Sequence, residues 1–434
     1  MLKGHLQIDL HNEITGEDKR IEQDNMVTNA LGYLLGLAAN AGGKGTNMFD
    51  DLLPAATKAL GGLFLFDGTL TEDVNNVHFP MSVHLTGHAG QSANTASKLG
   101  GSINTAESGR TDTGYVNVWD FSTSQANGTI ASLALTHTKG GENPFTGAQY
   151  SEGSYSSDRS YCPLTFDEST GNLYVYSEGK IYKKRIYTNI VRAYTPYFGE
   201  EEQVFDFAFS NPSYSSWAVM DGYDGHLYAV YVPYVSSQGT VSVRIRKLKI
   251  SDFSFEEETE QTIAVSNVTS KNTGSTDYYE QMNAVVSSGC LYFISYDEST
   301  LYKVDLANTV DVQEINFGSI RCKKIFPMRG GGVFAIFEWS GTTSSGSTTT
   351  YGSPGIVYPD KKYRLNAEST GGVGTPENYI SHETSYLQRF QMYRSNMYHS
   401  FACNYLGTIC NLSSPVVKTS AQSMKVTYTL TDAV

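Results

Sequence analysis

Over the first eleven positions Leu2, Gly4, Leu6, Ile8 and Leu10 alternate with Lys3, His5, Gln7, Asp9 and His11. A period of two is the imprint of a strand with one buried face. Asn12 to Glu17 supplies a turn, and Lys19 to Met26 returns as the partner strand. Thr28 or Asn25 is placed to cap a helix carrying Leu31, Leu34, Leu35 and Ala38 on one side, which Gly42-Gly43 ends. A second short helix is expected over Asp51 to Leu60, then a buried strand from Leu63 to Phe66. From Thr71 to Gly109 the chain is rich in Gly, Asn, Ser and Thr with little periodicity. This predicts a long ordered loop or a segment contacting a neighbouring subunit. Tyr115 to Thr123 and Thr129 to His137 read as a hairpin turning at Asn127-Gly128, and Gly140 to Ser160 reads as a linker.

Beyond the linker one pattern recurs. In Cys290 to Leu306, two aromatic and aliphatic runs, Leu291 to Ser295 and Leu301 to Leu306, flank the polar turn Asp297 to Thr300. This is a β-hairpin. Similar stretches begin at Asn172, at His226 (running through Val243 to Ile250) and, more loosely, at Gly332 (through Ile356 to Leu365). With the strand starts as markers, Leu173 to Leu227 is 54 positions, Leu227 to Leu291 is 64 and Leu291 to Val333 is 42. Such spacing, with about four strands per unit, suits the blades of a β-propeller. Three or four blades are visible, with a fifth placed around Phe205 to Met220 and an exposed loop at Ser340 to Thr350. Tyr386 to Tyr398 reads as a helix or a strand pair, and Met424 to Leu430 as a strand with Met424, Val426, Tyr428 and Leu430 on one face.

Composition agrees with a mainly β chain. Of 434 residues 40% are hydrophobic and only 17% charged, while Gly (41), Tyr (30) and Phe (20) abound, a mix that favours pleated strands and tight turns. The net charge of −13 argues against nucleic acid as a partner. The most basic run, Arg244 to Lys249, alternates with apolar residues as a strand with one wet face does. Five scattered cysteines (Cys162, Cys290, Cys322, Cys403, Cys410) without a Cys-x-x-Cys spacing suit a chain made in a reducing cytoplasm. No signal peptide is evident, and the apolar stretch Leu31 to Ala39 is too short to span a bilayer.

Signals for chemistry are weak. His84 and His88 have an i, i+4 spacing with His78 nearby, but Pro80, Gly87 and Gly90 oppose a helix there, so no metal site is expected. Gly42 to Thr46 fails the Walker pattern, and no cofactor is expected. Asp167, Glu168, Asp221, Asp224, Asp297 and Glu298 mostly fall at hairpin turns, where a carboxylate bonds nearby backbone. Cys290 opens an apolar strand with no histidine nearby in sequence, which is no nucleophile signature. Aromatic residues are the enrichment with functional meaning: Tyr223, Tyr228, Tyr231, Tyr234, Tyr278, Tyr279, Tyr296 and Tyr351 cluster in or beside loops of the hairpin region, with Trp217 and Trp339. Such side chains serve sugar and protein recognition at small entropic cost, while strand tyrosines also simply pack between blades.

Three segments carry a resemblance. The opening strand with Asp24 to Leu31, the stretch Gly114 to Ile130, and Asn411 to Ser420 followed by Met424 to Leu430 resemble a family of tail proteins of tailed bacteriophages, prophages and phage-tail-like particles. The resemblance covers the first 150 residues in patches and the last 30 well, and it skips the hairpins. It implies a virion structural protein of the tail, a tail fibre or a tail-tip or collar component, without catalytic activity. Such a protein is made in the host cytoplasm and released by lysis. It implies as partners other tail proteins, further copies of the chain, and a host-surface glycan or protein, with no membrane insertion. Because the matching segments bracket the hairpins, residues 1–150 plus 396–434 are expected to form a β-rich attachment domain. The propeller-like domain, 151–395, is then inserted into it. A glycan-cleaving tail enzyme and a purely structural collar or connector are the rival expectations.

Overall fold

The computed structural model describes residues 2–32, 34, 52–94, 97–145, 153–156, 162–167, 170, 172–177, 179–187, 197–207, 215–233, 239–265, 283–342, 348–365, 388–393, 396–401 and 403–432. Among them the chain forms 29 strands. Eight come first: β1 (Leu2–Asn12), β2 (Asp18–Val27), β3 (Gly62–Phe66), β4 (Leu85–Ala89), β5 (Ser102–Ile103), β6 (Gly109–Arg110), β7 (Gly114–Phe121) and β8 (Gly128–Thr136). After β9 (Gly153–Ser156) come β10 (Cys162–Asp167), β11 (Asn172–Ser177), β12 (Lys180–Tyr187) and β13 (Tyr197–Asp206), then β14 (Ser215–Asp221), β15 (His226–Pro233), β16 (Gly239–Lys249) and β17 (Ser254–Val265). Next are β18 (Ala284–Ser287), β19 (Cys290–Ile294), β20 (Thr300–Asp305), β21 (Asn308–Asn316), β22 (Arg321–Pro327), β23 (Val333–Thr342), β24 (Thr348–Val357) and β25 (Tyr363–Leu365). The chain ends with β26 (Gln388–Tyr393), β27 (Asn396–Phe401), β28 (Thr408–Lys418) and β29 (Gln422–Asp432).

The first eight strands and the last two share one ten-stranded sheet, in the order β4-β3-β8-β28-β2-β1-β29-β7-β5 with β6 also on β7. A bridge between His88 and Gly100 brings its two ends together, so the sheet curls into a nearly closed barrel. The alternation along β1 is realised from Lys3 to His11: Leu6, Ile8 and Leu10 are buried with Trp119, Ile130, Leu133, Val426 and Tyr428. Gly4 occupies an inward position because a β-carbon there would stand 2.7 Å from the Tyr428 ring. Thr28 caps the first helical turn, its Oγ1 accepting from Ala30 N at 3.3 Å. The Gly42 to Thr46 segment lies outside the described residues.

Two expectations fail in this sheet. β7 and β8 are the predicted strands, but they do not form a hairpin: β7 pairs with β29 and β8 with β28 and β3. Alternation specifies a strand and its buried face, not its partner, and here the C-terminal strands are inserted between the two. The second concerns 71–109: its described residues up to 84 form the expected irregular, ordered stretch, but the expected lack of periodicity does not hold and β4, β5 and β6 interrupt it. Val77, Phe79, Met81, Val83 and Leu85 fall at every second position, between His78, Pro80, Ser82 and His84, and all are buried against this same chain.

Between β8 and β28 lie four four-stranded antiparallel meanders, β10–β13, β14–β17, β18–β21 and β22–β25. The spacing markers Leu173, Leu227, Leu291 and Val333 each sit in the second strand of a meander. First strands of successive meanders lie side by side and are tied at their ends, Ser288 N donating to Gly222 O at 2.7 Å and Ser287 Oγ to Met328 O at 2.9 Å. The fifth sheet is not the one expected near Phe205 to Met220, where the described residues fall at the end of β13 and in β14. It is made of β26, β27 and β9, so strands from before and after the meanders combine. Its β26 lies against β10 of the first meander. Part of the expected linker is therefore a strand, Tyr386 to Tyr398 overlaps a strand pair, and β27 (from residue 396) pairs on the propeller-like side.

Candidate functional site

In each meander the first-to-second turn lies at one end of the inner strand and the second-to-third turn at the other. In the fourth meander the first-turn end meets the barrel-like sheet. Met81 packs against the Gly330 to Gly332 turn of the fourth meander, and Leu85 N donates to the Tyr358 hydroxyl at 3.1 Å. At the same joint His84 lies between two carboxylates. Its Nδ1 is 2.7 Å from Asp67 on the sheet side, its Nε2 2.9 Å from Asp360 on the propeller side, and its ring packs edge-on against Tyr358. Hydrogen bonds from Lys362 N, His84 and Lys362 Nζ hold the Asp360 carboxyl below its usual range although burial opposes them. His88, by contrast, is wholly buried; burial pushes its pKa down to about 4, against its hydrogen bond to Gly141 O. Among the described residues no group of three His, Cys, Asp or Glu side chains is disposed to hold a metal ion.

The aromatic candidates do not converge. Tyr228 is 3% exposed, its hydroxyl donating to Asp224 at 2.7 Å, so it is core and offers no face to a ligand. Tyr223 sits half-buried in the β14–β15 turn with φ of 59°, and the Arg329 guanidinium lies over its ring at 4.9 Å. That pair is at the end nearer the joint. Trp339 is half-buried toward the opposite end, where the Trp339 and Tyr351 backbones are paired between β23 and β24. Trp217 lies in β14, also toward that end. Tyr234, Tyr278 and Tyr279 lie outside the described residues. Tyr296, half-exposed in the β19–β20 turn, is the aromatic that the described part of the far end displays most openly.

The turn carboxylates behave as turn residues. Asp167 takes the Thr170 hydroxyl at 2.6 Å, Asp224 the His226 amide at 3.2 Å, and Asp297 the Ser295 and Ser299 hydroxyls at 2.6 and 2.9 Å. Asp221 is buried and accepts from Tyr223 N at 2.8 Å; burial raises its pKa against the Thr165 and Tyr223 hydrogen bonds and the Arg329 charge. Glu298 is paired with Lys323 at 2.7 Å. Asp167, Asp221 and Asp224 lie at the joint end and Asp297 and Glu298 at the far end, so the two groups are not brought together; Glu168 is outside the described residues. The basic strand β16 meets an acidic neighbour, with Arg246 to Glu258 at 3.4 Å and Lys247 to Glu256 at 3.1 Å. Cys322, Cys403 and Cys410 are buried and unbridged, and burial pushes the Cys410 thiol up to about 12.

No family model matches the chain, and no curated protein does. Solved structures that align with it include a virginiamycin B lyase from Staphylococcus aureus (8% identity, 61% of this chain and 98% of that one, TM-score 0.25). A GH43 β-1,3-galactosidase aligns at 9% identity (65% and 98%, TM-score 0.25), and TolB from Acinetobacter baumannii at 8% (71% and 81%, TM-score 0.22). Likeness at this level carries no argument about what the chain does, and the propeller-like architecture stands on its own strand pairings.

Proposed function

We propose that this chain is a structural protein of a phage tail or phage-tail-like particle. The barrel-like sheet anchors it to the particle, and the propeller-like array presents its far end to a host surface or a neighbouring tail component. One observation supports this reading above the others. The terminal segments that resemble tail proteins meet in one sheet, where β1 pairs with β29 from Leu2↔Asp432 to Asn12↔Gln422, while the hairpin array departs from and returns to that sheet. Separate parts of one chain are available for attachment and display, and Phe79, Met81, Val83 and Leu85 pack in one core cluster with the meanders, which supports a fixed joint between them. The reading is one of binding rather than hydrolysis, supported by the local turn bonds of the described candidate carboxylates. Position and copy number of the chain in purified particles, by electron microscopy with a label on the far end, test it. A label at a distal exposed site is expected; absence of the chain from particles refutes the proposal.

A further inference from the structure

β2 is paired along nearly its whole length on one side, with β1 from His11↔Asp18 to Gly4↔Asn25. On the other side β28 joins it only at Met26 and Val27, then leaves for β8 through an irregularity between Asn411 and Val416. Among the described residues, the outer backbone edge of Asp18 to Gln23 has no strand partner. An open edge invites pairing unless its side chains forbid it. Here they forbid most strands: Asp18, Lys19, Arg20 and Glu22 are exposed, and Ile21 and Gln23 half-buried.

One partner fits. A second copy running antiparallel with Ile21 opposite the partner's Ile21 sets Arg20 opposite the partner's Glu22, and Glu22 opposite the partner's Arg20, on the outer face. On the inner face Lys19 meets the partner's Gln23 around the paired isoleucines. Sliding to the adjacent two-fold registers places Glu22 on the partner's Glu22, or Arg20 on the partner's Arg20, which cross-strand repulsion disfavours. The like-charged ends, Asp18 and the partner's Asp24, are each already hydrogen-bonded within their own chain, Asp18 to His11 at 2.7 Å and Asp24 to His5 at 3.0 Å. We propose that two copies of this chain associate through their β2 edges, with Ile21 on the two-fold axis.

This inference does not depend on the particle role. The test uses the full chain in sedimentation velocity. Glu22→Arg sets arginine against arginine and weakens self-association by about tenfold or more, ~1.4 kcal/mol. Mixing the Glu22→Arg chain with an Arg20→Glu chain restores association, because every opposed pair is again complementary. Ile21→Cys gives an interchain disulfide under mild oxidation that wild type does not form, since directly opposed strand residues lie within disulfide reach. A wild-type chain that stays monomeric at all concentrations, association indifferent to Glu22→Arg, or no crosslink from Ile21→Cys overturns the proposal.

Discussion

Replacing His84 with Ala removes the imidazole that ties Asp67 to Asp360 and packs on Tyr358. The ring is 12% exposed, but the carboxylates are 32% and 45% exposed, so water re-solvates them once the ring is gone. Charge-assisted hydrogen bonds contribute about 1.5–3 kcal/mol when buried, and the exposure of both acceptors argues for the low end. Adding the lost edge-to-face contact with Tyr358, about 0.5–1.5 kcal/mol, the joint loses roughly 2–3 kcal/mol. That corresponds to an opening equilibrium shifted by about 30- to 150-fold. The Leu85 amide, bonded to Tyr358 OH across the joint, is the reporter. Hydrogen exchange followed by mass spectrometry should show that amide exchanging faster by about this factor, with core amides of β18 and β19 unchanged. Unchanged protection at Leu85 would refute the reasoning that His84 clamps the two modules.

Three further outcomes follow from the same geometry. His88 stays neutral in the folded chain until about pH 4, whereas the unfolded chain takes up that proton at 6.5. Stability therefore declines as pH falls through this window, by about 3 kcal/mol, and a His88→Gln chain should show a flatter dependence in urea titrations. Gly332→Ala forces a β-carbon to 2.4 Å from Val357 O and 2.7 Å from Met81 at φ of 73°, while Gly225→Ala meets open space at φ of 90°. Thermal melts should show the first as the more damaging, since both carry the backbone strain of about 1–2 kcal/mol but only the first adds a clash. Tyr228→Phe should cost about 1 kcal/mol in stability for the lost Asp224 bond and leave adsorption to cells unaltered; a large adsorption defect in a folded Tyr228→Phe chain would contradict its assignment to the core.

Strands were the legible part of this sequence, because period two is written residue by residue. Leu291 to Ser295, Leu63 to Phe66 and Met424 to Leu430 all lie in or overlap strands, and the spacing markers fell in equivalent strands of four meanders. Partners joined by a short turn were legible, β1 with β2 and β19 with β20, but distant partners were not. Asn127-Gly128 suited a hairpin turn, yet β7 and β8 are separated by strands nearly 300 residues further along the chain, and nothing local announces that. The closing sheet was hidden for the same reason, since β9 and β27 meet across the whole array. The joint was legible and was obscured by composition: among many Gly, Ser and Asn residues, the alternation at Val77, Phe79, Met81, Val83 and Leu85 is as regular as that of β1. As for the aromatic candidates, enrichment does not separate a core tyrosine such as Tyr228 from a displayed one such as Tyr296; exposure does.

Crosslinking of intact particles, read by mass spectrometry, tests most directly whether the barrel-like sheet anchors and the far end displays. Lysines of the sheet, Lys3, Lys19 and Lys425, should link to neighbouring tail proteins or to other copies of the chain, while Tyr296→Ala lowers adsorption to host cells without changing the amount of chain in the particle. Links to tail proteins that come only from the meanders, with the sheet lysines left free, would contradict it.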